Sequence, residues 1–324
     1  MMLLLYYILI FGVSVFVLSY LSSRLIDCLL RIAGYLKWRE FIIAFFGMAF
    51  ATSLTNFFVD VNAVLHHLPE LAFGDIIGGN LVDLTLIIAI SVFLGKKGGM
   101  EVKSETVQKS AIFTALIAIL PLLLIADKKL DRIDGLILVF CFVFYSFWIF
   151  SKQERFKKYY IQSEDGSINN LRDFMYHLFN LFLFFAMLIL ASQGIVKSAI
   201  FFAEYFQLPI LMVGTLIVGL GNCLPELYFS IISARQGQYW LVLGELMGSV
   251  IVCTTLVLGI IVLLSPFSID DLSPFWVARG FMILASLFFF YAVRSDHKIT
   301  KKEAVFLLFI YILFLISEIL VRIY

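Results

Sequence analysis

The string GNCLPEL, Gly221 to Leu227, sets a glutamate directly after a proline inside an apolar run, and NLVDLTL, Asn80 to Leu86, sets Asp83 in a second one. A carboxylate near the centre of a membrane helix costs about 2.5–3.5 kcal/mol on insertion scales, so such groups face a cavity or a partner. Pro225 contributes in another way: it has no N–H to donate and leaves a carbonyl of the preceding turn free. Carboxylate, hydroxyl and carbonyl oxygens at short range suit hard cations such as Na⁺ and Ca²⁺. No phosphate loop, CxxC pair or HExxH string accompanies them. The chemistry indicated is therefore ion coordination and passage, with no enzymatic step and no resident cofactor.

The elements that must position these groups follow from composition. The 324 residues are 62% hydrophobic and only 15% charged, against about 45–50% and 25% in soluble chains. The bilayer is the expected solvent. Ten apolar runs long enough to cross it lie near residues 2–23, 41–65, 71–95, 111–126, 133–150, 174–206, 208–233, 240–264, 275–293 and 304–323. The first has no basic leader and no small-residue cleavage site, so it reads as a retained helix rather than a signal peptide. The formal charge of +1 excludes a nucleic-acid partner, which requires a basic face; lipid and inorganic cations are the partners expected. Cys28, Cys141, Cys223 and Cys253 all lie in apolar surroundings and make no disulfide framework.

Basic residues are retained on the cytoplasmic side of a membrane. With the N-terminus outside, ten spans put eighteen Lys and Arg inside and five outside, with Lys197 in the sixth span. The expected protein is thus an all-α polytopic membrane protein of about ten transmembrane helices with both termini outside, in a cell (inner or plasma) membrane. A hydrophilic stretch at 151–173 divides it into residues 1–150 and 174–324, five spans each. Five is odd, so two similar halves must enter the membrane in opposite senses, as inverted repeats.

Internal similarity appears at an offset of 170. FATSLTNFFVDVN and GDIIGGNLVDLTL align without a gap on LGNCLPELYFSII and GELMGSVIVCTTL. Gly74 matches Gly244, Gly78 matches Gly248, Thr85 matches Thr255, and Asp75 pairs with Glu245. The small residues Gly74, Gly78 and Gly79, with Gly244, Gly248 and Ser249, sit at spacings that let helices approach closely. HHLPEL, at 66–71, also contains a P-E-L string, but its spacing to the next glycine is wrong and it reads as an outer turn.

GNCLPEL, followed eighteen residues after its glutamate by GELMGSVIVC, resembles the second α-repeat of the cation/Ca²⁺ exchanger superfamily, typified by sodium/calcium exchangers. The specific motifs cover some seventy to eighty residues. The resemblance implies a secondary active cation antiporter, working by alternating access with the cation bound between the two repeats. Carried over by position, the family's cation-binding glutamates fall at Asn56 and Glu226, and its second ligand set at Asp83 and Cys253. The hydroxyl and carbonyl positions fall at Thr52 and Ser53 and at Asn222 and Cys223, and the serine positions at Gly79 and Ser249. The implied ligands are therefore Glu226 and Asp83 as anions, with Asn56, Thr52, Ser53, Ser249, Asn222 and Cys253 around them. Ca²⁺ or Na⁺ is the implied cargo, with H⁺ or another divalent cation as alternatives. The first repeat departs from the pattern at Thr55 and Asn56, where the family has proline and glutamate. Asp60, one turn after Asn56, occupies the position of Ser230 in the other half and is a candidate, not the leading one, to stand in for the lost glutamate, and Asp75 and Glu245 are either entry charges or solvated groups. A proton-coupled divalent or transition-metal exchanger, and a non-transporting member acting as a binding module, stay open.

Overall fold

The computed structural model describes residues 2–35, 40–95, 99–102, 105–151, 171–269 and 275–323. The side chain of Thr52 and nearly all of the 151–173 stretch lie outside the described part. Helices dominate. They are α1 (Met2–Tyr35), α2 (Glu40–Leu65), α3 (Pro69–Leu94), α4 (Glu105–Leu124), α5 (Arg132–Ser151) and α6 (Leu171–Phe206). There follow α7 (Ile210–Asn222), α8 (Leu224–Arg235), α9 (Tyr239–Leu264), α10 (Trp276–Arg294) and α11 (Lys301–Ile323). Among the described residues eight of these are long and apolar enough to cross a membrane, or nine if the bent pair α7–α8 is one span.

Two helices occupy the middle of the bundle. In α3 and α9 alike, 83% of the membrane-length window is buried, against 17% in α1 and 6% in α6. Both central helices contain a stretch of wider π-helical turns, Val82–Ile87 in α3 and Val252–Val257 in α9, at the 170-residue offset of the sequence repeat. A π turn inserts a residue into the helical ladder and turns the side chains around it. In each, a threonine sends its hydroxyl back to the carbonyl four residues earlier, Thr85 to Leu81 and Thr255 to Ile251, a bond that competes with the ladder and bends helices.

The α7–α8 break is the one the proline requires. Pro225 lies in the first turn of α8, where its missing N–H costs nothing. Cys223, at φ −81° and ψ 4°, is the joint between helices bent by 40°. Upstream, α3 and α7 touch almost backbone to backbone. A Cβ on Gly78 would lie 2.1 Å from the Thr215 carbonyl oxygen, and one on Gly74 2.2 Å from that of Leu211. The glycine spacing is thus used as expected in the first half, whereas a Cβ on Gly244 would meet no described atom within 4 Å.

Two short antiparallel ribbons complete the fold. β1 (Gly99–Glu101) follows α3 and pairs with β4 (Lys298–Thr300), and β2 (Lys129–Leu130) pairs with β3 (Phe267–Ser268). Helix α4 separates β1 from β2, so the ribbons lie at opposite ends of the bundle. Beyond β4, Thr300 caps α11: its N–H donates to Glu303 Oε2 at 2.7 Å and its Oγ1 accepts from the Glu303 N–H at 3.3 Å. On the periphery α1 and α6 pack on each other, with Tyr7 stacked on Phe201 at 4.2 Å and Ser198 Oγ donating to the Tyr7 carbonyl. At 34 and 36 residues each is about 50 Å long, well beyond the roughly 30 Å of hydrocarbon. Helix α1 therefore runs past the expected end at residue 23.

Candidate functional site

Six acids are buried among the described residues, Asp60, Asp75, Asp83, Glu226, Glu245 and Glu318, and no Lys or Arg is buried with them. Five belong to α2, α3, α8 and α9, where the broken helix meets the two central ones. The sixth, Glu318, lies on α11. Uncompensated charge in such an interior calls for a counter-ion or a proton.

Glu226 stands in the first turn of α8, fully buried, and no donor reaches either of its carboxylate oxygens. The π turn of α3 presents Asp83, 2% exposed, with its Oδ1 also lacking a donor. Asp83 faces Cys223 and Ser249. Asp83, Glu245 and Asp75 all lie close enough for their charges to act on Glu226. The helix break thus brings the glutamate of one half to the aspartate of the other.

At the positions 170 residues away in the sequence the pairing occurs again with different chemistry. Asn56 Nδ2 donates to Cys253 Sγ at 3.3 Å, and Ser53 faces the same thiol. Adding 170 to Asn56 and Ser53, and subtracting it from Cys253, returns Glu226, Cys223 and Asp83. One diagonal of the site is a carboxylate pair, and the other an amide and a thiol. The oxygens Asn56 Oδ1, Ser53 Oγ, Ser249 Oγ and Asn222 Oδ1 are all buried without a hydrogen-bond partner. Seven of the eight candidate ligands are accordingly described and buried, and Thr52 is outside the described side chains. Among the described residues, no three His, Cys, Asp or Glu side chains converge closely enough to hold a metal by themselves. Coordination here has to draw on neutral oxygens.

Other parts of the polar interior differ from expectation. Asp75 and Glu245 are 2% exposed, not solvated. Asp75 Oδ2 accepts from Asn222 Nδ2 at 2.6 Å, and Ser230 Oγ donates to Glu245 Oε2 at 3.4 Å. Asp60 faces Asp75 across the α2–α3 contact. The clue was in the register: residues 60 and 75, like 230 and 245, lie fifteen apart. Asn80, which donates to Thr254 Oγ1 at 2.7 Å and ties the central helices together, carried no such sign. His66 and His67 are exposed in the turn after α2, as the spacing requires.

Residues 6–151 and 176–320 match the model of the family described as sodium/calcium exchanger protein. The chain is 24% identical over 320 residues to the sodium/calcium exchanger MaX1 of Methanosarcina acetivorans, covering 88% of this chain and 90% of that one. It is 26% identical over 257 residues to the inner membrane protein YrbG of Escherichia coli, covering 76% of each. Among solved structures, the sodium-calcium exchanger NCX_Mj in a crystal soaked with Na⁺ and Sr²⁺ superposes with a TM-score of 0.64 at 22% identity. That match covers 97% of this chain and 99% of the other.

Proposed function

The chain belongs to the sodium/calcium exchanger protein family, whose members are multi-pass cation antiporters, and we propose that it is a secondary active antiporter exchanging Na⁺ and Ca²⁺ by alternating access. The cation binds between two inverted five-helix repeats, residues 1–150 and 174–324, in a cell membrane. The repeats comprise ten spans with both termini outside. Glu226 and Asp83 are the anionic ligands; Asn56, Ser53, Ser249, Asn222 and Thr52 supply neutral oxygens; Cys253 completes the ring. The observation that carries this reading is the buried pair Glu226 and Asp83, one from each half, with no buried Lys or Arg among the described residues to neutralise it.

That pair also explains why movement of ions in opposite directions is coupled. An occluded site holding two uncompensated carboxylates is costly to form, because several kcal/mol of desolvation per charge are not returned. One Ca²⁺ or two Na⁺ restore neutrality, so the loaded carrier reorients and the empty one does not. The decisive experiment is flux in proteoliposomes under an imposed Na⁺ gradient across a panel of divalent ions. Gradient-driven Ca²⁺ uptake is expected, and uptake driven only by a pH gradient in Na⁺-free buffer replaces the proposal with proton coupling.

The thiols of Cys223 and Cys253, beside Asp83 and Asn56, favour a second reading in which a softer divalent metal is carried, since sulfur ligands select such ions. The same ion panel separates the two. Asn56 itself tunes the choice. Replacing it with glutamate breaks the bond to Cys253 and adds a third carboxylate, and ligand charge count sets divalent affinity. Asn56→Glu is expected to raise the preference for Ca²⁺ over Na⁺ by roughly tenfold or more in competition flux. Unchanged selectivity would place residue 56 outside the ion path.

A further inference from the structure

Over a complete transport cycle, charges fixed to the protein return to where they began. The net charge moved is that of the ions alone, so it depends on how many monovalent ions leave for each divalent ion that enters. That number follows from the carboxylates the ions touch, because a cation left uncompensated in a desolvated interior is penalised just as an unpaired carboxylate is.

The charged diagonal of this site offers two carboxylates. Glu226 and Asp83 are buried, and no donor reaches either oxygen of Glu226 or Asp83 Oδ1. The acids beyond them have side-chain partners of their own: Asn222 donates to Asp75 Oδ2 at 2.6 Å, Asp60 faces Asp75, and Ser230 donates to Glu245 Oε2 at 3.4 Å. The other diagonal offers no carboxylate. Asn56 Nδ2 donates to Cys253 Sγ at 3.3 Å, an amide on a thiol. A hydroxyl is missing too. Asp83 faces Ser249, whose equivalent 170 residues earlier is Gly79, and a Cβ at Gly79 would already lie 3.3 Å from Cys223 Sγ. A third monovalent ion would meet neither the charge nor the oxygen that the first two find.

We propose that the neutral diagonal, Asn56 with Cys253, sets the coupling ratio at two Na⁺ for one Ca²⁺, so that exchange moves no net charge and is indifferent to membrane voltage. The proposal rests on the Na⁺/Ca²⁺ reading and adds to it the number of ions. Cys253 is the residue to change. Its equivalent in the first half is Asp83, and Asn56 Nδ2 is already placed to donate to an oxygen put where the sulfur stands. Cys253→Asp supplies a third carboxylate, and with it a third Na⁺ and one net charge per cycle.

The test is the plateau of Ca²⁺ accumulation in proteoliposomes of the purified full chain, under a set Na⁺ gradient with the potential clamped by K⁺ and valinomycin. The native plateau is expected to rise as the square of the Na⁺ ratio, about a hundredfold for a gradient of about tenfold, and to stay unchanged when about 60 mV of either sign is imposed. Cys253→Asp is expected to follow the cube, about a thousandfold, and to shift about tenfold with about 60 mV, as one net charge requires. Asn56→Glu, which charges the same diagonal from the other side, is expected to match it. A native plateau that follows the cube, or that shifts with voltage, overturns the proposal whether or not the variants fold. A square law kept by both variants, each checked by a monodisperse gel-filtration peak, overturns the assignment to Asn56 and Cys253. Absence of Na⁺-driven Ca²⁺ uptake by the native chain is a separate failure, which strikes the Na⁺/Ca²⁺ reading itself and the ratio with it.

Discussion

Glu226→Gln and Asp83→Asn each abolish gradient-driven cation flux in proteoliposomes while the purified protein remains folded. Either substitution keeps the shape and the capacity to accept one hydrogen bond and removes one of two ligand charges. Removing one member of a desolvated charged interaction costs about 2–5 kcal/mol, so apparent cation affinity falls by roughly 30-fold to a few thousandfold. Stability moves the other way. Both carboxylates are buried and no donor reaches either oxygen of Glu226, and a neutral amide is cheaper to bury than an unpaired charge. The melting temperature in cation-free buffer is therefore expected to hold or rise, while the extra stabilisation that the native chain gains from its cation disappears. Loss of flux with loss of fold would not count. Native flux rates in either variant would sink the site.

A methyl group at Gly78 is expected to be as damaging as the loss of a ligand, for a different reason. Its Cβ would sit 2.1 Å from the Thr215 carbonyl oxygen and 2.7 Å from the Thr215 Cα, and backbone atoms cannot turn aside as a flexible side chain can. Helices α3 and α7 must separate, at the upper end of the 1–3 kcal/mol that overpacking costs, or about 3 kcal/mol and beyond. These helices carry Asp83 on one side and Asn222 on the other, so the separation also pulls the proposed ligands apart. Gly78→Ala is expected to lower the yield of monodisperse protein and its melting temperature, and Gly78→Val to leave little folded protein. Gly280→Ala, on α10 where a Cβ meets nothing within 4 Å, is the control expected to behave as the native chain. A Gly78→Val protein of native stability would mean that the α3–α7 contact is not as tight as described.

Much of this architecture was legible before any coordinates. The runs of apolar residues locate the helices because the hydrocarbon sets their length, and the 170-residue repeat follows from glycines and acids that tolerate no drift in register. Glu226 and Asp83 stood out because a carboxylate is conspicuous in an apolar run. The π turns did not stand out, since Thr85 and Thr255 look like any other membrane threonine until the bond to Leu81 or Ile251 is seen. The meeting of Asp60 with Asp75 was only half legible: the register sets 60 and 75 at the spacing of 230 and 245, but that the two touch depends on how α2 and α3 cross. Nor did the short strands announce themselves. KL and FS are two-residue pieces whose pairing is a property of chain ends brought together by helices.

Those strands decide which parts of the molecule can change places. One ribbon ties the stretch after α3 to the one before α11, and the other ties the α4–α5 turn to the end of α9, at opposite ends of the bundle. Helices α3 to α5 and α9 to α11 are thereby clasped top and bottom, like a frame bolted at both rims. Opening the site to one side and then the other cannot come from prising the frame apart without breaking backbone hydrogen bonds at one rim. Under the proposed function it would fall to helices that no described strand holds, of which α1 and α6 are outermost and packed on each other.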